Sequence, residues 1–134
     1  MAQAESGSAA RLRPTSPHLQ IYSPKINMVM SILHRITGAA LYFGSLLLAA
    51  WLISGAMGPD VFAKANELFG SLIGRFVLIG YTWALIHHML GGVRHLIWDT
   101  GRGLDIKTAD LLCWSGLILS VLITAAIWFA ATVA

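Results

Sequence analysis

The segment Leu85–Asp99, LIHHMLGGVRHLIWD, decides how the rest of this chain is interpreted. It places three histidines, one arginine and two adjacent glycines at the end of an apolar run. Polar and ionisable side chains are costly inside an apolar segment, so by default they indicate a functional site. The function of this segment therefore depends on the solvent that surrounds it and on the ligand that its histidines bind.

The composition of the chain points to a lipid environment. Of its 134 residues, 57% are hydrophobic and only 11% are charged, whereas soluble domains carry about 25% charged residues. The net charge of +3 is small and dispersed, which argues against a nucleic-acid-binding protein, because such proteins cluster their basic residues. The single cysteine, Cys113, excludes an internal disulfide and any zinc or iron–sulfur site built from cysteines.

The chain divides into an N-terminal arm, residues 1–25, and a transmembrane region, residues 26–134. Three prolines between residues 11 and 25 disfavour helix, so we expect an extended arm outside the bilayer. A spanning helix needs about 20 apolar residues, and three stretches meet this length, at about 27–57, 70–98 and 108–132. We therefore predict an all-α membrane protein with three transmembrane helices in an up-down-up bundle.

The basic residues predict the orientation of the bundle. Cytoplasmic segments of membrane proteins carry an excess of lysine and arginine. Here seven basic residues lie on the side of the arm and of the loop after the second span, against two in the loop after the first span: Arg11, Arg13, Lys25, Arg35, Arg94, Arg102 and Lys107 against Lys64 and Arg75. We therefore expect the N-terminus to be cytoplasmic.

The first residues also favour one cellular location over another. Residues 1–10 are small and polar and lack the apolar core of a signal peptide, and no Arg- and Ser-rich amphipathic transit segment follows. This pattern favours a multi-pass protein of the bacterial cytoplasmic (inner) membrane over one of the mitochondrial inner membrane.

On a helix, which turns by about 100° per residue, His88 and His95 lie on nearly the same face and His87 on another. Gly91 and Gly92 lack side chains beside His88, which leaves a flat space where a haem could lie with its iron on an imidazole. Two alternatives stay open on spacing alone: the glycines let helices pack closely, and a histidine bonds a neighbouring helix. Zinc is less favoured, because the three histidines do not converge.

Ser31 and Arg35 are four residues apart and therefore neighbours on one face of the first span, with His34 beside them. A hydroxyl and a guanidinium there could bind a carbonyl oxygen of a lipid-soluble quinone and stabilise negative charge on it. On these residues alone the structural alternative is favoured, in which Arg35 reaches lipid phosphates and Ser31 bonds its own helix. Asp99 is expected to have a structural role at the helix end, with a proton path as the alternative.

Three motifs together resemble one family, the cytochrome b556 membrane-anchor subunit of succinate dehydrogenase, that is, of succinate:quinone oxidoreductase or respiratory complex II. Arg13–Tyr22 is similar to the family's R-P-x-S-P-H-x-x-I-Y, Ser31–Gly38 to S-I-x-H-R-x-[TS]-G, and His88–Asp99 to H-x-x-x-G-x-R-H-L-x-x-D. The motifs occur in the family's order and spacing, and the resemblance spans residues 11–134. His87 is not part of the family pattern.

The resemblance implies a subunit without a dehydrogenase site of its own, which passes electrons from an iron–sulfur subunit to quinone. A second membrane-anchor subunit, also of three helices, would complete the bundle, and a flavoprotein subunit would oxidise succinate. The resemblance also implies the cofactor and substrate sites. A haem b shared with the second anchor would have His88 as one axial ligand, ubiquinone would be bound by Ser31 and Arg35, and the haem propionates would lie near His34, Arg94 and His95.

Two other functions remain as alternatives at this point. The first is the anchor of a quinol:fumarate reductase, because residues of the anchor do not set the direction of the reaction. The second is a non-redox membrane scaffold for a soluble partner, which predicts no haem. A carrier with two haems is less favoured, since the third span contains no histidine.

Overall fold

The computed structural model describes residues 16–133, which form four helices and contain no strand. The helices are α1 (Ile26–Met57), α2 (Pro59–Gly70), α3 (Leu72–Asp99) and α4 (Ile106–Val133). Helices α1, α3 and α4 are long and apolar enough to cross a membrane, which confirms the predicted all-α membrane fold. Residues 16–25 of the arm contain no helix, and the part of the arm before Ser16, including Arg13, lies outside the described residues.

The contacts between helices define the up-down-up order of the bundle. Near the start of α1, Asn27 bonds Asp110 near the start of α4, so these two helices run parallel. Helix α3 runs antiparallel to both, because His88 meets α1 at His34 while Thr82 meets α4 at Trp128. We call the end at which α1 and α4 begin and α3 finishes the histidine end.

Small and polar side chains occupy the inside of the bundle, and large apolar ones cover the outside. The buried polar and charged residues are Thr37, Ser54, His87, Arg94, Ser120 and Thr124. Most leucine, isoleucine and phenylalanine side chains of the three spans are exposed on the isolated chain. This distribution is expected in lipid, where apolar surface has no reason to turn inward and small residues let helices approach each other.

Local sequence signals explain where the helices begin. Pro59 occupies the first turn of α2, where a missing N–H costs nothing, and follows Gly58 at φ +121°. The Ser71 hydroxyl caps α3 by accepting from the backbone N–H of Gly74 at 3.1 Å. Asp105 caps α4 by accepting from the backbone N–H of Thr108 at 2.9 Å, and this hydrogen bond holds the pKa of its carboxyl below its ordinary value.

Helices α1 and α3 pack closely at Gly44, which is buried against the ring of Tyr81. A Cβ atom at position 44 would overlap that ring, whereas a Cβ atom at Gly80 would meet nothing within 4 Å. The close approach of the two spans therefore depends on the absence of a side chain at position 44.

We expect Gly44→Ala to destabilise the assembled protein relative to Gly80→Ala. Both changes gain the same intrinsic helix propensity, about 1 kcal/mol, but only the first forces the helices apart, at a cost of about 1–3 kcal/mol. Thermal denaturation midpoints in detergent measure the difference. Equal midpoints for the two variants would contradict a tight contact at Gly44.

Candidate functional site

Three of the predicted site residues form a cluster between α1 and α3, the histidine cluster (His34, His88 and His95). The rings of His34 and His88 stack with centroids 3.9 Å apart and planes inclined by 8°. The ring of His95 lies 5.4 Å from that of His34, at an angle of 56°. The three imidazoles come from two motifs more than fifty residues apart in sequence, and the antiparallel pairing of α1 and α3 joins them.

Two glycines make room for these rings. A Cβ atom at Gly38 would lie 3.0 Å from Cε1 of His88, and one at Gly91 would collide with the ring of His34. The predicted flat space beside both glycines of α3 is therefore only half correct: the His34 ring fills the side of Gly91, whereas nothing lies within 4 Å of a Cβ atom at Gly92.

The hydrogen bonding of His88 suits a metal ligand. Its Nδ1 lies 3.1 Å from the backbone carbonyl oxygen of His34. A carbonyl oxygen only accepts, so Nδ1 carries the proton and Nε2 keeps its lone pair. Iron-binding histidines commonly have this arrangement, with one ring nitrogen donating to a carbonyl and the other free for the metal. The residues present therefore fit an axial ligand to a haem iron.

His87 faces the opposite way from His88. Its side chain is only 1% exposed and is buried against α4. Its Nδ1 lies 3.4 Å from the hydroxyl oxygen of Ser120, and its ring lies against Trp83 with centroids 5.1 Å apart. The alternative that a histidine of this segment bonds a neighbouring helix thus describes His87.

Arg94 also faces α4 and does not join the histidine cluster. Its side chain is 5% exposed. Its guanidinium donates to Sγ of Cys113 at 3.4 Å and lies 5.2 Å from the ring centroid of Trp98. Sequence reasoning grouped Arg94 with His95. Adjacent residues lie about 100° apart on a helix, and Arg94 packs against α4.

A partly buried chain of hydrogen bonds connects Arg94 to the start of the bundle, and sequence reasoning missed it. Cys113 donates to Oδ1 of Asn27 at 2.8 Å, and the Asn27 amide donates to Oδ1 of Asp110 at 2.6 Å. The chain joins all three spans at the histidine end. The one sequence signal for it was that Asn27 and Asp110 are polar residues at the edges of apolar stretches.

We expect Asp110→Leu to lower the thermal midpoint of the protein in detergent more than Asp110→Asn does. Leucine removes the acceptor of the Asn27 amide, and a lost hydrogen bond to a charged group costs about 1.5–3 kcal/mol. Asparagine keeps a carbonyl oxygen at that place. If both variants lose the same stability, the negative charge of Asp110 matters rather than this hydrogen bond.

Ser31 and Arg35 lie on the outside of α1, beside the histidine cluster but turned away from α3 and α4. Both side chains are exposed on the isolated chain. Within residues 16–133, the Ser31 hydroxyl makes no hydrogen bond to its own helix, unlike Ser45, which donates to the carbonyl oxygen of Tyr42 at 2.7 Å. A bond from Ser31 back to its own helix, the structural alternative, is therefore not observed among the described residues.

Asp99 is the last residue of α3 and is exposed. In the described part of the chain, neighbouring residues close the turn after α3: the indole N–H of Trp98 donates to the carbonyl oxygen of Gly103 at 3.0 Å, and Thr100 donates to that of Ile97 at 2.7 Å. The Asp99 carboxylate forms no ion pair with Arg102 there.

A separate cavity of about 710 Å³ lies between α1, α2 and α3, toward the end of the bundle opposite the histidines. Its lining is mainly apolar, and none of the predicted site residues belongs to it. This cavity is therefore not the place where the polar chemistry is concentrated.

Together, these features define a multi-pass helical membrane protein with a histidine cluster between two of its spans, at one end of the bundle. Residues 10–134 match the family described as the succinate dehydrogenase/fumarate reductase transmembrane subunit. The chain belongs to this family, which confirms the family predicted from the three motifs.

Individual relatives agree with the family match. The chain is 44% identical over 116 residues to the succinate dehydrogenase cytochrome b556 subunit of Rickettsia bellii, covering 87% of this chain and 90% of that protein. It is 41% identical over 114 residues to the corresponding subunit of Paracoccus denitrificans, covering 82% and 88%. The mitochondrial cytochrome b560 subunit of Bos taurus is 40% identical over 115 residues, covering 82% of this chain and 66% of that protein.

Proposed function

We propose that this chain is the cytochrome b anchor of a succinate dehydrogenase, which holds haem b together with a second anchor subunit and binds ubiquinone next to the iron–sulfur subunit. The single observation that carries the proposal is the geometry of His88. Its Nδ1 donates to the His34 carbonyl oxygen and its Nε2 is left as the ligand atom. The names of the relatives, cytochrome b556 and b560 subunits, support a b-type haem independently.

The site is incomplete within one chain, which supports a second anchor subunit. The rings of His34 and His88 stack face to face with centroids 3.9 Å apart and leave no space for a haem between them, so a six-coordinate haem iron would need its second axial ligand from elsewhere. The exposed apolar side chains of the three spans provide the surface for a second three-helix anchor. His34 lies beside His88, and His95 lies beside His34. We assign both to the haem propionates, whereas Arg94 would have to leave its contact with Cys113 to reach them.

When bound, a haem would supply a one-electron redox centre. The quinone takes two electrons from the iron–sulfur subunit and two protons from the aqueous side to become a quinol. Arg35 and Ser31 donate hydrogen bonds to a quinone carbonyl oxygen, and the positive charge of Arg35 stabilises the negative charge that develops there. Their exposure on α1 supports this role, because a substrate that diffuses within the bilayer can reach them.

The proposed orientation places the N-terminus and the histidine end on the cytoplasmic side of a bacterial inner membrane. The excess of basic residues at this end supports it, as do the bacterial relatives. On that side, the arm offers exposed apolar side chains, Leu19, Ile21 and Tyr22, to the soluble iron–sulfur and flavoprotein subunits. Residues 1–25 would then serve as a docking arm and residues 26–134 as the anchor.

One experiment tests this function as a whole. The tagged chain is purified from its native membrane in mild detergent, the co-purifying proteins are identified, and a reduced-minus-oxidised spectrum is recorded. A b-type signal accompanied by a flavoprotein, an iron–sulfur protein and a second small membrane protein is the expected result. Absence of haem from a complex that contains these partners, or absence of the partners, would overturn the proposal and favour a non-redox scaffold.

The family description also includes fumarate reductases, so the direction of the reaction needs its own measurement. The relatives named above are all succinate dehydrogenase subunits, and this favours succinate oxidation. The ratio of succinate:quinone reductase to quinol:fumarate reductase activity of the purified complex decides between the two directions.

A further inference from the structure

Thr37 is a buried residue of α1 whose hydroxyl lies beside the ring of His88. Its side chain is 2% exposed. The hydroxyl oxygen is 2.8 Å from the carbonyl oxygen of Leu33, 3.1 Å from that of His34, and 3.4 Å from Nδ1 of His88. The hydroxyl thus contacts its own helix on one side and the imidazole of α3 on the other.

The direction of each hydrogen bond follows from which groups can donate. A threonine hydroxyl has one proton and two lone pairs, and a backbone carbonyl oxygen only accepts. The hydroxyl proton is therefore used on the carbonyl oxygens of Leu33 and His34, and the lone pairs of Oγ1 are left facing Nδ1 of His88. Nδ1 already faces the His34 carbonyl oxygen at 3.1 Å. Both neighbours of Nδ1 are then acceptors, and its N–H is shared between them.

Gly38, the next residue of α1, has no side chain, so α1 and α3 can come close enough for the contact between Thr37 and His88. A Cβ atom at position 38 would lie 3.0 Å from Cε1 of His88, closer than such contacts ordinarily come, and 3.5 Å from Nδ1. A side chain there would push the imidazole away from Oγ1 of Thr37. Thr37 and Gly38 therefore act together: Thr37 supplies a hydrogen-bond acceptor, and Gly38 leaves room for the imidazole ring.

We propose that Thr37 is a positioning residue for His88: its hydroxyl, together with the His34 carbonyl, holds the imidazole in the Nδ1–H form and presents Nε2 to the haem iron. This inference rests on the proposed function, since it assumes that His88 is a ligand. Hydrogen bonding at the far nitrogen makes the ligating nitrogen more basic. A more basic ligand favours ferric over ferrous iron and therefore lowers the reduction potential.

The matched pair Thr37→Ser and Thr37→Ala tests the proposal in the complete purified complex. Both variants lose the same methyl group, and they differ only in the hydroxyl. We expect Thr37→Ala to raise the midpoint potential of the b-type signal and to weaken haem retention by about 10-fold, the lower end of the effect of removing such partners. Thr37→Ser is expected to keep both quantities near those of the wild type.

The readouts are a redox titration of the b-type absorbance and the haem-to-flavin ratio after prolonged detergent washing. Equal potentials and ratios in the serine and alanine variants would overturn the role of Thr37. If the alanine variant does not assemble, Thr37→Val, which preserves the volume of threonine, takes its place in the same comparison. The inference also fails if the valine and serine variants behave alike.

Failure of the proposed function gives a different result. If the wild-type complex contains no b-type haem, or keeps it unchanged when His88 is replaced by leucine, then His88 is not a ligand. If the wild type binds haem through His88 while the serine and alanine variants of Thr37 match, only the positioning role is wrong.

Discussion

Replacing His88 with leucine is expected to abolish the b-type absorbance of the purified complex, whereas replacing His87 with leucine is expected to retain it. Removal of an axial ligand leaves the iron without one of its two strong bonds to protein. The leucine side chain is similar in size to imidazole, and the place of the ring between His34 and Gly38 stays filled. The effect on haem is therefore a matter of ligation rather than of packing.

His87→Leu is the matched control because it makes the same chemical change one position away. His87 is packed against Trp83 and Ser120. The Ser120 hydroxyl keeps a partner without it, since it also donates to the carbonyl oxygen of Leu117 at 2.7 Å. Replacing a buried polar side chain by an apolar one of similar shape is nearly neutral when no partner is left unsatisfied. Loss of haem in the His87 variant but not in the His88 variant would reverse the ligand assignment.

Arg35→Ala is expected to lower quinone reduction by succinate on the order of 10²-fold, the effect of removing one donor from a site that stabilises developing negative charge. Oxidation of succinate with an artificial acceptor, which bypasses the quinone site, is expected to stay close to that of the wild type. Arg35→Lys should lie between the two, because lysine keeps the charge but loses the planar fork of donors. The two assays are run on the same preparation, normalised to flavin.

Arg75→Ala is the control for the loss of an exposed arginine from this chain. Arg75 lies at the start of α3, at the other end of the bundle, and its Nε donates to the carbonyl oxygen of Gly70 at 2.9 Å. We expect this variant to keep both activities. If Arg35→Ala loses both activities equally, it has damaged assembly, and the role of Arg35 at the quinone is contradicted.

Much of the fold could be predicted because the solvent determines it. An apolar stretch of the length of α3 or α4 has one stable arrangement in lipid, a helix whose backbone groups bond one another. The glycine turn after Asp99 and the proline at the start of α2 then set approximate ends. The three motifs carried the family: two have polar residues at positions where an apolar helix would otherwise have none, and the third, Arg13–Tyr22, lies in the arm.

The site was predictable only in part. His34, His88 and His95 do come together, and helical spacing had already placed the last two on one face. Thr37 lies within the Ser31–Gly38 motif, but threonine is common in transmembrane helices. Its role could not be predicted, because it depends on the contact between its hydroxyl and the His88 ring of another helix. Arg94 was grouped with His95 because the two are adjacent in sequence. In the structure, Arg94 contacts Cys113 of α4, whereas the His95 ring lies near His34 of α1.

By itself, the sequence determined that this chain is a three-span helical membrane protein of the succinate dehydrogenase/fumarate reductase anchor family, because hydrophobic length and local motifs are properties of single segments. Only the tertiary structure decided which of two adjacent histidines faces α1 and which faces α4. It also joined Asn27 to Asp110 and Cys113, which are 83 and 86 residues away. Such pairings depend on how helices rotate and approach each other, and small residues such as Gly38, Gly44 and Gly91 set that approach through contacts that no single segment contains.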